Sequence, residues 1–349
     1  VVKGVRKMID VHLERFDRLL LNRLQQSFPL VSEPFRRIGE EFNISSEQVI
    51  ERIRFLKERQ ILRQISAIFN TSALGYKSAL VAVSVPDEFI ESAAKVINSY
   101  PGVSHNYLRP ASFNLWFTIA VPPGYNMTHV VRDLVRSAGD FPFLILPALR
   151  KYKLAMVLDM IDDGDSPDLP TYTAFKPLLA SSTGFFDLTK DHIKIVQCVQ
   201  EDLPLVEKPF KGWAEKLNIN ESTLLEILQS WLKAGIIRRF AGLLNHREAG
   251  FMANGMVVWT CPDEQIDSAG TKLASFPEVS HCYHRPAYPQ WPYNLYAMVH
   301  SRTFEKCETI AKNLSQAINL SDYKVLFSVR EFKKVRLKLF WDYSEGEEK

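Results

Sequence analysis

The string VSHNYLRPASFNLWF beginning at Val103 returns as VSHCYHRPAYPQWPYNLYAM beginning at Val279. Each copy carries a histidine, a tyrosine and an arginine at alternate positions: His105, Tyr107 and Arg109 in the first, His281, Tyr283 and Arg285 in the second. Side chains two apart on a β-strand share a face, so this spacing predicts one polar face per copy, with Cys282 and His284 turned the other way. Arginine offers fixed, paired N–H donors to a carboxylate; histidine moves a proton or ligates a metal near neutral pH; tyrosine donates a hydrogen bond. A ligand bearing carboxylates explains the combination. A solvated sheet edge or a subunit contact would account for wet His and Arg side chains without one.

Aromatic residues crowd both strings: Phe113, Trp116 and Phe117 in the first, Tyr288, Trp291, Tyr293 and Tyr296 in the second. Core and hairpin packing is the ordinary use of such rings. The stretch PAYPQWPYN is different, because three prolines and three aromatics in one connection make a stiff apolar projection that could wall a flat ligand. Two further basic strings, ALRKYK with Arg150 and Lys153, and SVREFKK with Arg330, Lys333 and Lys334, stand at matching places; most of these side chains are expected to be solvated, while the matched Arg150 and Arg330 could add carboxylate contacts.

The elements that must position these groups are duplicated too. FPLVSEPFRRIGEEFNI from Phe28 is answered by LPLVEKPFKGWAEKLNI about 175 positions further on, and the spacing of the later markers Asn114 and Asn294 grows by the QWPY insertion. Each half opens with three helical patterns. In the first, these are Leu13 to Gln25, a segment led by Pro34 and a third capped by Ser45 or Ser46, and together they predict a helix-turn-helix. The period then changes. SALVAVSVP, DEFIESAAKVINS, VSHNYLR, NLWFTIAV, THVVRDLVRSAG and FLILPALRKYKLAMVL read as βαββαβ, a ferredoxin-like α+β unit, and the second half repeats the order. The expected organisation is an N-terminal segment at 1–12, helix-turn-helix units at 13–70 and 188–245, ferredoxin-like domains at 71–160 and 246–342, a Pro- and Asp-rich linker at 161–187 and a tail at 343–349, with the halves paired as a pseudo-dimer.

Composition narrows the function classes. A chain of 349 residues with 46% hydrophobic and 24% charged residues suits several compact units, and its net charge of +3 predicts no strong field for nucleic acid or anionic membrane. Arg52, Arg54 and Lys57 on the third helix could contact DNA, but the second copy presents Glu221 and Glu226 with no basic residue before Lys233, so nucleic-acid binding is not expected. The four cysteines form no C-x-x-C pair and there is no zinc spacing, which favours reduced thiols and a cytoplasmic setting. The charged N-terminus does not read as a signal peptide, and no apolar run reaches transmembrane length.

A helix-turn-helix joined to a βαββαβ unit resembles the Lrp/AsnC transcription regulators. The strings VSHNYLR…FNLWFT and VSHCYHRP…WPYNLYAMVH go further and resemble the siroheme decarboxylases of haem d1 and alternative haem synthesis, here with two related subunits fused. The resemblance implies removal of CO₂ from two acetates of siroheme, giving 12,18-didecarboxysiroheme, with no separate cofactor because the substrate brings its iron. It also implies roles. Arg285 would hold the acetate, His281 or His284 would deliver the proton, and Tyr283 would orient it. His105, Tyr107, Arg109, Arg150, Arg330, Trp116, Tyr288, Trp291 and Asn294 would bind substrate, with His281 or His105 as iron ligand. The QWPY insertion and His284, where the first copy has Leu108, predict that the second half carries the chemistry. A ligand-responsive regulator and a tetrapyrrole carrier are the competing readings, and assembly beyond the pseudo-dimer stays open.

Overall fold

The computed structural model describes residues 13–154, 186, 188–244, 253–301 and 303–343. The segment 1–12, the expected linker 161–187 apart from Phe186, and the tail beyond 343 lie outside the described residues.

Helices α1 (Arg15–Gln26), α2 (Pro34–Phe42) and α3 (Ser46–Glu58) form the first helix-turn-helix. Pro34 starts α2, where a missing N–H costs nothing, and Asn43 ends it in the left-handed conformation at φ 54°. Ser45, of the two candidate serines, caps α3: its hydroxyl accepts from the Gln48 N–H while the Gln48 side chain accepts from the Ser45 N–H. Strand β1 (Leu62–Phe69) follows, a strand the sequence reading did not anticipate. Then come β2 (Lys77–Val83), α4 (Ile90–Ser99), β3 (Val103–Leu108), β4 (Leu115–Val121), α5 (Met127–Ala138), β5 (Phe143–Pro147) and β6 (Arg150–Leu154). The second half repeats the order as α6 (Lys190–Val199), α7 (Pro209–Lys216), α8 (Glu221–Lys233), β7 (Ile237–Leu244), β8 (Ala253–Trp259), α9 (Ile266–Ser275), β9 (Val279–His284), β10 (Leu295–Ser301), α10 (Phe304–Ala317), β11 (Tyr323–Phe327) and β12 (Arg330–Lys334).

Three pairings lock the halves together. β1 and β7 form an antiparallel ribbon, over which both helix-turn-helix units share one core containing Leu20, Leu24, Phe35, Phe210, Trp213 and Phe240. The closing strands depart from expectation. FLILPALRKYKL is not one strand: it breaks after Pro147, and β6 leaves its own half to pair with β9. β12 likewise crosses to β3, giving sheets ordered β5-β2-β4-β3-β12 and β11-β8-β10-β9-β6. Pro147 supplies no N–H to continue the ladder, and two residues on, the Leu149 N–H donates to the His284 carbonyl of the other half. Gly270 in α9 admits the crossing strand, since a Cβ there would overlap the Tyr152 ring.

Each sheet carries its helices on one face and meets the other sheet on the opposite face. The inter-sheet core joins Ala82, Trp116, Leu144 and Leu146 to Met256, Val258, Trp291, Tyr296 and Leu326. In the first helix-turn-helix, Arg52 clamps the fully buried Asp17 carboxylate, with Nη2 to Oδ2 at 2.6 Å, and Lys57 pairs with Asp202 at 2.7 Å. Two of the three cations available to DNA are thus spent on holding the module together.

Candidate active site

Between the sheets lies a cavity of about 910 Å³, near the upper end of small-molecule sites. Both polar faces line it. His105, Tyr107 and Arg109 come from the β3 side, and His281, Tyr283 and Arg285 from the β9 side. The two sets share their geometry. His105 Nδ1 lies 2.9 Å from Ser104 Oγ and His281 Nδ1 3.0 Å from Ser280 Oγ, while the His–Tyr ring centroids are 6.1 Å apart in both. Arg109 lies 5.4 Å above the Tyr107 ring, and Arg285 4.6 Å above that of Tyr283. Each guanidinium then crosses to the other sheet, Arg109 donating through Nη1 to the Leu326 carbonyl and Arg285 to that of Leu146.

The electrostatics are one-sided. Six Lys and Arg side chains line the cavity, namely Lys77, Arg109, Lys151, Arg238, Arg285 and Lys334, together with the three histidines His105, His281 and His300 and with no Asp or Glu among the described residues. Arg109 and Arg285 are buried, and the Nε of each has no hydrogen-bond partner among the described residues. A buried cation without a carboxylate is costly, and the protonation equilibria register that cost. Burial pulls Arg109 down to about 10 and lowers Arg285, Arg238 and Lys151. His105 falls to about 4, through burial first and then Lys334 and Arg63; His300 falls to about 4 through burial, Lys334 and Arg109. Burial raises the Tyr283 hydroxyl, so it stays a donor. Apolar walls from Leu80, Ile145, Met256, Met298, Trp116 and Tyr296 complete a site shaped for a large ligand with an apolar body and several carboxylates. No cluster of three or more His, Cys, Asp or Glu able to hold a metal occurs among the described residues, and none of their helices is long and apolar enough to cross a membrane.

Several expected site residues stand elsewhere, and parity explains most of them. His284 points to the helix face, opposite Arg150 in the β9–β6 register and close enough to Asp267 to help lower that carboxyl. Arg150 pairs with Asp267, and Arg330 with Glu91 (Nη2 to Oε2 3.0 Å), both on the exposed helix side rather than in the cavity. Arg330 also belongs to the first half's sheet, so it does not stand beside Arg285. Asn294 is a structural clamp: its amide bonds the N–H and C=O of Cys261 at 2.9 and 2.8 Å, as Asn114 does for Val85. Trp291 is buried behind the wall, 5.3 Å from Trp116, with its N–H donated to the Tyr296 hydroxyl at 2.9 Å. Tyr288 donates to the Ile145 carbonyl at 2.8 Å and binds the two halves together. Of the seven aromatic wall candidates, Trp116 and Tyr296 line the cavity, and Phe113, Phe117, Tyr288, Trp291 and Tyr293 do not.

The residues missed are the neighbours of those chosen. Lys151, one position after Arg150, faces the cavity by simple alternation, and Lys334, four after Arg330, faces it because the register shift between Glu331 and Lys333 reverses the alternation. His300 was legible in YAMVHS, where Tyr296, Met298 and His300 alternate onto one face. Arg238 arrives from β7, which the sequence reading did not foresee.

Residues 73–153 and 248–333 match the model of the AsnC-like ligand binding domain, and residues 17–63 and 192–238 that of the siroheme decarboxylase NirDL-like HTH domain. The chain is 39% identical over 328 residues to the siroheme decarboxylase of Hydrogenobacter thermophilus, spanning 93% of this chain and 95% of that protein. It is 49% identical over 152 residues to the siroheme decarboxylase beta subunit of Methanosarcina barkeri, 44% of this chain and all of that one. The crystal structure of the siroheme decarboxylase NirDL in co-complex with an iron-uroporphyrin III analogue superposes with a TM-score of 0.72 at 35% identity, over 93% of this chain and 94% of that one.

Proposed function

Because the chain belongs to the siroheme decarboxylase family, we propose that it removes CO₂ from two acetate side chains of siroheme, giving 12,18-didecarboxysiroheme for haem d1 or alternative haem synthesis. This makes it a carboxy-lyase. The observation that carries the reading is the cavity: among the described residues, six cations, three histidines and no carboxylate surround an apolar middle, matched to a flat macrocycle with eight carboxylates. A relative crystallised with an iron-uroporphyrin III analogue, another polycarboxylate macrocycle, supports the same assignment.

The residues divide the work by position. Arg285 and Arg109 hold carboxylates, aided by Lys151 and Lys334 on the crossing strands, and Trp116, Tyr296 and Met256 cover the ring. Loss of CO₂ leaves an electron pair on the methylene, which the conjugated macrocycle spreads, and the carbon then takes a proton. His281 delivers it, with Tyr283 beside it. Substrate carboxylates held beside this histidine favour its protonated form. The substrate's iron makes a separate cofactor unnecessary, and His281 or His105 has ligation of that iron as its alternative role. We place the reaction in the cytoplasm, in keeping with four unpaired cysteines, and assign no nucleic-acid or membrane partner.

Anaerobic incubation of the purified chain with siroheme, followed by mass spectrometry of the extracted tetrapyrrole, tests this. Loss of two CO₂ units is expected. Siroheme that binds and returns unchanged would make the protein a carrier and overturn the reading.

A further inference from the structure

The sequence predicts a chemical second half and a supporting first half, on the strength of His284 and the QWPY insertion. Neither His284 nor any residue of that insertion lines the cavity. What lines it is one His/Tyr/Arg set from each sheet, with equal His–Tyr separations and reciprocal arginine crossings, Arg109 to Leu326 and Arg285 to Leu146. Each set also gains a lysine from a strand of the other half, Lys334 opposite His105 and Lys151 opposite Tyr283. The cavity therefore has an approximate twofold.

The substrate has one as well. Siroheme carries the type III order of side chains, so the two acetates that become methyl groups sit on neighbouring pyrroles. A twofold axis through the meso carbon between those pyrroles exchanges them. We propose that both acetates react in a single binding event, one at His105/Tyr107/Arg109 and the other at His281/Tyr283/Arg285, with the substrate's local axis lying along that of the cavity. This rests on the siroheme reading above. At each point the bond between the methylene and the carboxylate breaks, CO₂ leaves, the electron pair stays on the methylene, and one proton delivered by the local histidine completes the methyl group. No oxidant or reductant enters. The sets differ at their edges, where His300 lines the cavity near Arg109 and Arg238 lines it near Tyr283.

The experiment compares His105→Asn and His281→Asn in the full chain under anaerobic turnover, with the product isolated and its regiochemistry fixed by NMR. Each variant is expected to lose one CO₂ at close to the normal rate and the other at least about 100-fold more slowly. The two monodecarboxylated products are expected to be different regioisomers, and the double variant to yield neither. The same regioisomer from both variants, a block of both losses by one of them, or both losses surviving in either would overturn the proposal. Siroheme titration of the unaltered chain gives an arm independent of folding: one siroheme per chain is expected, and two would overturn it. Failure of the unaltered chain to release any CO₂ would instead defeat the siroheme reading itself.

Discussion

Replacing Arg285 by Met separates binding from folding, and the structure sets both magnitudes. Arg285 is 9% exposed, donates one hydrogen bond to the Leu146 carbonyl, lies over two tyrosine rings and meets no carboxylate among the described residues. Losing a hydrogen bond from a charged donor costs about 1.5–3 kcal/mol, and losing the ring contacts about 1 kcal/mol. Removing an unpaired buried cation returns a penalty of several kcal/mol, of the order of what is lost. The apoprotein should therefore melt within a few degrees of the unaltered chain, at roughly 2–4 °C per kcal/mol for a large domain. Siroheme binding should suffer much more. A carboxylate left without its buried partner costs about 2–5 kcal/mol, at least about a 30-fold rise in Kd. Thermal melts with and without siroheme, together with an absorbance titration, measure both. A fall of more than about 10 °C in the apoprotein, some three kcal/mol or more, would show Arg285 to be a structural strut, and an affinity within threefold would refute its role as a carboxylate holder.

Parity makes a second prediction. Lys151→Met and Lys334→Met should each weaken siroheme binding about tenfold or more, whereas Arg150→Met and Arg330→Met, which break exposed ion pairs, should leave affinity unchanged and cost at most about 1 kcal/mol of stability by urea unfolding. A third concerns pH. His105 and His300 are held down to about 4 in the folded chain, so between about 4 and the ordinary histidine value near 6.5 the unfolded chain binds more protons. Apoprotein stability should rise with pH across that window and level off above it, and His300→Gln should flatten the rise in urea melts taken from pH 4.5 to 7.5.

Much of this was legible from residue order alone, because it depends on local periodicity. Pro34 and the Ser45–Ser46 pair mark helix boundaries through backbone constraints that act within a few residues, and the structure selects Ser45 as the cap. The alternation of His105, Tyr107 and Arg109 fixes one strand face whatever lies beyond it, and duplication makes the same face in the second half. The polar character of that face followed directly, while the choice between solvent and a carboxylate-bearing ligand did not.

Tertiary structure decided what depends on contacts distant in sequence. Nothing local distinguishes a strand that pairs within its own half from one that crosses, yet the crossing of β6 and β12 carries Lys151 and Lys334 to the cavity. The register shift between Glu331 and Lys333 exchanges inside and outside for the residues after it, which is how Lys334 reaches the site although it stands an even number of positions from the outward-facing Arg330; the shift between Lys151 and Lys153 comes after Lys151, which faces the site by plain alternation with Arg150. The stiff PAYPQWPYN loop reads as an exposed wall because its composition is apolar and its prolines restrict it, but the facing sheet supplied Trp116 and Phe113 to bury Trp291. The residue types and their spacing determined which groups were available. Packing of one half against the other determined which of them share a cavity, because that choice rests on surface complementarity between segments more than a hundred residues apart.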